Sequence, residues 1–360
     1  MGLEFQPARA MSAFSIRLST RHLSLVLLLT LCPACGGNRG DTMVAGFPSK
    51  PIRLVLPYGP GGATDIVARV IADYVHRVLG QPVVFEYKPG ASGVVAISEV
   101  VGSKADGYTL LLGNITTNLL NPIIGESPLP FDAFTRLVPL ARLVSIPGVL
   151  ITTTVDFPPT TLKELLQYAR ERPGELNYST SGILAYSHID WLLLQQRAGV
   201  RLVDVPTRAG AGAGGAQVDI ITGRIHASIQ NAATVMPFVK AGQVRALAVS
   251  GEHRLAAYPD VPTFEEEGFA GIGTSGWQAL FAPAGAPAAA LDRITGVFRD
   301  ALADEGVRRR LSDLQVDIVP TRTADDARTW LDGERRRWTP IVATAKALHR
   351  DHEASLAASR

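Results

Sequence analysis

Residues 52–74 read IRLVLPYGPGGATDIVARVIADY, and the order of their patterns decides the fold. IRLVLP is short, apolar and β-branched, the composition of a buried strand. Beyond the glycines, Ile66, Val67, Val70, Ile71, Tyr74, Val75, Val78 and Leu79 recur at helical spacing, while Asp65, Arg69, Asp73 and Arg77 fall on another face. Gly80 stops that helix. Between strand and helix lie Tyr58, Gly59, Pro60, Gly61 and Gly62. Glycine has no Cβ, so backbone N–H groups here can approach a ligand closely. Thr64 or Asp65 can cap the helix, whose N-terminus suits a carboxylate. A phosphate loop would need Lys and then Ser or Thr after its last glycine, whereas this loop continues Ala63-Thr64-Asp65, and Asp65 would oppose a polyphosphate. A tight turn with a cap and no ligand remains the competing reading.

Working outward, strand and helix patterns keep alternating. VVFEY (83–87) reads as a strand, GVVAISEVVGS (93–103) as a helix and YTLLLGN (108–114) as a strand. This βαβαβ order predicts a mainly parallel sheet covered on both faces. VPLARLVSIPGVLITT (138–153) reads as one long crossing strand, and VRALAVS (244–250) as a second that crosses back. Between them a second set of strands and helices repeats the alternation. TTLKELLQYARERPG (160–174) has capping-box spacing from Thr161 to Glu164. The expectation is therefore an α/β protein of two lobes: residues 47–143 plus 258–345 form the first and 144–257 the second, with 346–360 a frayed polar tail. Two crossings make a hinge and a cleft, with ligands beyond the carboxyl ends of the strands.

Other motifs were weighed against that plan. Gly210, Gly212 and Gly215 form a G-x-G-x-x-G after a strand, but no acidic residue ends a strand about 20 residues on to hold a ribose diol. Nicotinamide-type dinucleotide binding is thus the enzyme alternative. Ser179, Thr180, Ser181, Ser187 and His188 sit close in sequence, yet the G-x-S-x-G nucleophile elbow is absent, and a lone helical histidine reads as a packing or capping residue. The Ser/Thr-rich turn at Ser179–Gly182 is a second donor-rich helix start, expected to face the first loop. Scattered histidines give no metal-ligand spacing, so neither metal nor cofactor is expected. With 35 basic and 33 acidic residues and no basic run outside helical patterns, no nucleic-acid partner is expected.

The N-terminus carries an address. Arg17, Arg21 and His22 precede LSLVLLLTL (23–31), a basic region followed by an apolar core too short to span a bilayer. Residues 1–34 read as a signal peptide, with Met11 an alternative start to Met1. Cys32-Pro-Ala-Cys35 resembles a redox pair but lacks a folded context. Lipidation at Cys35 is favoured, with cleavage near Val44–Gly46 the alternative. Removing 1–34 leaves 32 basic and 32 acidic residues. The expected product is an exported, periplasmic or extracytoplasmic protein, lipid-anchored where Cys35 is modified.

The residues from FPSKPIRLVLPYGPGGATDIVARVIAD through LGQPVVFEYKPGASGVVAISEVVGSKADGYTLLLGN, TLKELLQYARERPGELNYSTSG, GAQVDIITGRI and GWQALFAPAGAP resemble, in order and across nearly all of the exported chain, the Bug family. These are TctC-type extracytoplasmic solute receptors of tripartite tricarboxylate transporters. The resemblance implies a type II periplasmic-binding-protein fold without enzymatic activity. It implies capture of a small carboxylate by loop backbone groups and ordered waters. It also implies a two-component membrane permease as partner, or in some relatives a sensor kinase. A monomer is expected. Carried onto this chain, the first loop supplies Tyr58, Gly59, Pro60, Gly61, Gly62 and Asp65, and the facing turn supplies Ser179, Thr180, Ser181 and Gly182, with Asn114 nearby. Departures from the family pattern at Pro206-Thr207-Arg208-Ala209, at SIQN (228–231) and at Ile183, Leu184 and Tyr186 fall on pocket walls. Thr207 and Gln230 join the candidate contacts there, and the bulkier residues suggest a more apolar carboxylate.

Overall fold

The computed structural model describes residues 46–125, 129–206 and 212–358. The signal segment, Cys35, Thr207 and Gly210 lie outside those residues. The chain runs β1 (Ile52–Leu56), α1 (Ala63–Leu79), β2 (Val83–Tyr87), α2 (Val94–Gly102) and β3 (Thr109–Asn114). A π-helical turn, Thr116–Leu120, and two one-turn helices, α3 (Asn121–Ile124) and α4 (Ala133–Arg136), lead into β4 (Leu137–Ile146). Then come β5 (Gly148–Thr153), α5 (Leu162–Glu171), β6 (Asn177–Thr180), α6 (Tyr186–Ala198), β7 (Val203–Pro206), α7 (Gly212–Ile221), β8 (Ala227–Asn231), α8 (Ala232–Lys240) and β9 (Val244–Val249). β10 (Gly276–Pro283), α9 (Ala288–Ala303), α10 (Glu305–Asp313), β11 (Asp317–Ile318) and α11 (Ala324–Ala358) complete it. No helix of the described residues is long and apolar enough to cross a membrane.

Two sheets result, in the orders β11-β4-β10-β3-β1-β2 and β7-β6-β8-β5-β9. They are mixed rather than mainly parallel. β10 runs antiparallel to both β3 and β4, and β5 antiparallel to both β8 and β9. The apolar run 138–153 is two strands, not one. Pro147 has no N–H to continue a ladder, so β4 ends in the first sheet at Ile146 and β5 begins in the second at Gly148. VRALAVS does not cross back. β9 stays in the second sheet, and the return is made at β10 after residues 250–275. Phe264 and Ile272 pack in the core of the second sheet and Val261 against it, so the second lobe extends past residue 257.

Helix α6 is buried on nearly every side. Ile189 and Leu192 share a cluster with Leu120 and Trp277 of the first lobe, while Trp191 and Leu194 join the core of the second. The helix is buried with its polar residues Ser187, His188, Asp190 and Gln195 included, and it is the joint between lobes. The tail is a correction as well. Residues 346–358 continue α11, because Leu348 packs on the shared cluster and Lys346 Nζ donates to Ile124 O at 2.7 Å.

Asp190 fixes α6 to the return segment. Its carboxylate, 2% exposed, accepts from Thr274 N at 2.8 Å and from Thr274 Oγ1 at 3.0 Å. Burial nevertheless pushes its pKa up to about 6. The folded state therefore holds this proton more tightly than the unfolded chain, and the contribution to stability falls as pH rises from about 4 to about 6. Asp190→Asn keeps an acceptor for Thr274 N without the charge. Urea denaturation is expected to find it more stable than the parent at about pH 8, with the difference closing at about pH 4. A less stable variant at the higher pH would contradict this account.

Candidate functional site

The carboxyl ends of β1, β3, β6 and β8 and the amino end of β10 surround one cavity of about 380 Å³. Four helices begin on its wall. α1, α2, α6 and α8 start after Gly62, Gly93, Ala185 and Asn231, and none of the four has a side-chain cap. Away from the cavity, α4, α5 and α10 are capped by Asp132, Thr161 and Asp304, while α9 begins after Pro287 without a side-chain cap. The first amides of α2, α6 and α8 donate to Ala91 O, Thr116 Oγ1 and Pro147 O, and the remaining first-turn N–H groups are left for another acceptor. Their partial positive charge makes that acceptor an anion.

The first loop is braced from behind. The Asp65 carboxylate accepts from Gly61 N at 2.8 Å, Tyr87 OH at 2.7 Å and Arg69 Nε at 2.9 Å. Burial pushes its pKa up, but these donors outweigh burial and hold it below the usual carboxylate value. Thr64 Oγ1 donates to Gln278 Oε1, tying the same helix start to β10. Asp65 is the only charged residue among the described lining residues. The wall is otherwise neutral, with Tyr58, Ile115, Tyr186, Ile229 and Trp277 giving it apolar surface.

Of the residues singled out in the sequence, Tyr58, Gly59, Gly62, Asp65, Asn114, Ser179, Thr180, Ser181, Gly182 and Gln230 line the cavity. Pro60 and Gly61 do not. Pro60 is exposed, and Gly61 spends its N–H on Asp65 at φ +83°. Thr207 falls outside the described residues. On the second lobe Ser179 Oγ meets Ser228 Oγ at 3.1 Å, Gln230 Nε2 donates to Ser228 Oγ, and Gln217 Nε2 donates to Gln230 Oε1. His188 is no base for a serine. Its Nδ1 accepts from Leu184 N at 2.8 Å, and its Nε2 faces Asp204. No group of three or more potential metal ligands occurs among the described residues.

Sequence reasoning missed Gly90–Gly93, Thr234, Trp277 and Gln278, all on the wall. Gly90, Ala91, Ser92 and Gly93 all have positive φ, and Asn121 Nδ2 holds the turn by donating to Ser92 O at 2.7 Å. The signal was present as PGASG directly after a strand, the same grammar as the first loop. This turn meets the other lobe, since a Cβ on Gly182 would lie 3.3 Å from Ser92 Oγ. Gly93 itself is pressed against Thr117.

Two α/β sheets with an uncapped, neutral, donor-lined cleft at their strand ends define a solute-binding receptor of the periplasmic-binding-protein type. Comparison gives the family. The model of the tripartite tricarboxylate transporter family receptor matches residues 67–346, and the chain belongs to this family of periplasmic receptors, which bind solutes and are not enzymes. It is similar to Protein BugT of Bordetella pertussis, 30% identical over 318 residues, covering 88% of this chain and 96% of BugT. It is also similar to the solved structures of R. palustris Rpa4515 with adipate (29% identity, TM-score 0.78, 83% of this chain and 98% of that one) and of MatC from Rhodopseudomonas palustris with bound malate (29%, 0.75, 82% and 100%).

A Cβ at position 93 would lie 2.4 Å from Thr117 Cγ2, at φ +99°. Gly93→Ala is expected to cost about 2 kcal/mol in chemical denaturation. Adding Thr117→Ala should return part of that loss. Additive costs in the double variant would place the strain elsewhere.

Proposed function

We propose that this protein captures a small carboxylate-bearing solute in the interlobe cleft and hands it to a two-component membrane permease of the tripartite tricarboxylate type. The observation that carries the reading is the convergence of four helix starts without side-chain caps on one cavity whose single charged lining residue among those described, Asp65, is paired with Arg69. Tyr58, Gly59, Gly62, Asn114, Ser179–Gly182 and Gln230 form the walls of that site, with Asp65 as the brace of the first loop. A carboxylate resting on backbone N–H groups gains about 1.5–3 kcal/mol per charge-assisted bond, so several suffice for the roughly 8 kcal/mol of micromolar affinity. The relatives solved with adipate and malate support the ligand class. The aromatic and aliphatic wall favours a ligand with an apolar body between or beside its charged ends.

Thermal-shift screening against a carboxylate library that includes adipate and malate tests this. A ligand at a hundred times its dissociation constant is expected to add about 2.7 kcal/mol of stability. Gly62→Val, which places a side chain over the first-turn amides, is expected to weaken that ligand at least about tenfold while leaving the unliganded melting temperature nearly unchanged. A library without a single hit would overturn the reading. Unchanged affinity in Gly62→Val would remove the first loop from the site.

A further inference from the structure

The family match ends at residue 346, but α11 runs on to Ala358. Its early turns belong to the first lobe. Leu331, Trp338 and Val342 pack in the cluster with Trp277, and Trp277 Nε1 donates to Glu334 Oε2 at 3.2 Å. Its last turns reach the second lobe. The His349 ring meets the buried His188 ring of α6 edge-on at 5.2 Å, and His352 meets the backbone of Leu202, just before β7. His188 Nε2, His349 Nδ1 and His352 Nε2 are all buried without a hydrogen-bond partner. Three imidazoles thus share a contact between lobes.

The groups around them come from every neighbouring element. Tyr178 on β6 stacks on His188 at 6.4 Å, and Asp204 Oδ2 on β7 lies 3.8 Å from His188 Nε2. Arg201 repels a charge on His352, while Glu353 stands 3.5 Å from His349 Nε2. The cluster also touches the ligand site. Thr180, on the cavity wall, donates through Oγ1 to Asp204 Oδ1 at 3.1 Å.

We propose that residues 347–358 of α11 form a proton-released latch, which holds the first lobe to the second at neutral pH and lets go in mild acid. Burial, with His349 and His352 nearby, drives the His188 pKa down to about 3, and burial lowers that of His352 as well. Both lie below the ordinary value of about 6.5, so the docked state is favoured above that pH and loses ground below it. Asp204 works against release: burial pushes its pKa up to about 6, so the proton it takes up in the docked state offsets part of the histidine effect below that pH.

Hydrogen exchange on the purified full chain tests the latch, with rates corrected for the intrinsic pH dependence of exchange. Amides of 347–358 are expected to be protected at about pH 7.5 and to lose protection below about pH 6.5, by up to about tenfold for each unit of pH, with Asp204 offsetting part of that loss below about pH 6. His349→Leu/His352→Leu, or the same pair changed to Gln, is expected to reduce that dependence to the part His188 contributes, in whichever variant keeps its neutral-pH protection. The parent protein supplies an independent readout. The His188 ring signals should stay flat until helix protection is lost. Protection that is absent at neutral pH, or unchanged in acid, overturns the proposal. So does a His188 titration near 6.5 with the helix still protected, or an equal acid loss in the substituted proteins.

Discussion

Pro147 is the constraint from which the cleft follows. Pro139 sits inside β4 only where the ladder to β10 shifts register, and Pro147, with no N–H to donate, stands where the apolar run divides between two sheets. Ile146 pairs with Gly276 in the first sheet, and Gly148 pairs with Asn231 in the second. Pro147 still uses its carbonyl, which accepts from Ala232 N at the start of α8. Gly148 exchanges hydrogen bonds with Ser250, through its N–H to Oγ and its carbonyl to Ser250 N, where the chain leaves the second sheet. One proline thereby brings the ends of β8 and the start of β10 together, and Asn231, Gly276 and Trp277 become neighbours on one wall.

Around that wall the fold uses backbone groups where another protein would use charged side chains. Uncapped helix starts give partial positive charge without a mobile cation, and those first-turn N–H groups that no protein acceptor takes are free to meet an anion. Asp65 explains how such a loop stays in place. Its carboxylate lies on the cavity wall, yet its oxygens are taken by Gly61 N, Tyr87 and Arg69, so its charge stiffens the loop and is largely screened from the ligand. The Gly90–Gly93 turn applies the same economy from the neighbouring strand, its positive φ values held by Asn121.

Local patterns carried the α/β order, the first loop and the Ser179–Gly182 turn, because period, glycine and helix-start chemistry are written within a few residues of each other. The mixed sheets were not legible. The antiparallel entry of β10 depends on where a distant segment returns, and nothing within GWQALFAP encodes its neighbours. The polar composition of 346–360 suggested fraying, yet Leu348 and the histidines find partners on α6 that lie more than 150 residues earlier in the chain. Trp277 is a core residue that also stands on the cavity wall, as the second residue of β10 just after the crossing.

Helix α6 then links grip to motion. It carries the second lobe's contribution to the cavity at its start, the Asp190 clasp to the return segment in its middle, and apolar side chains for both lobes along its length. A helix built into both cores cannot be a free hinge, because sliding it exposes apolar surface to water on one side or the other. Rearrangement of the cleft must therefore be concentrated where polar contacts replace packing. Those places are the Ser92–Gly182 meeting point at the mouth and the histidine contact with α11 behind. The two lie at opposite ends of the route through Thr180, Asp204 and His188, so a change at either is felt by the turn that faces the ligand.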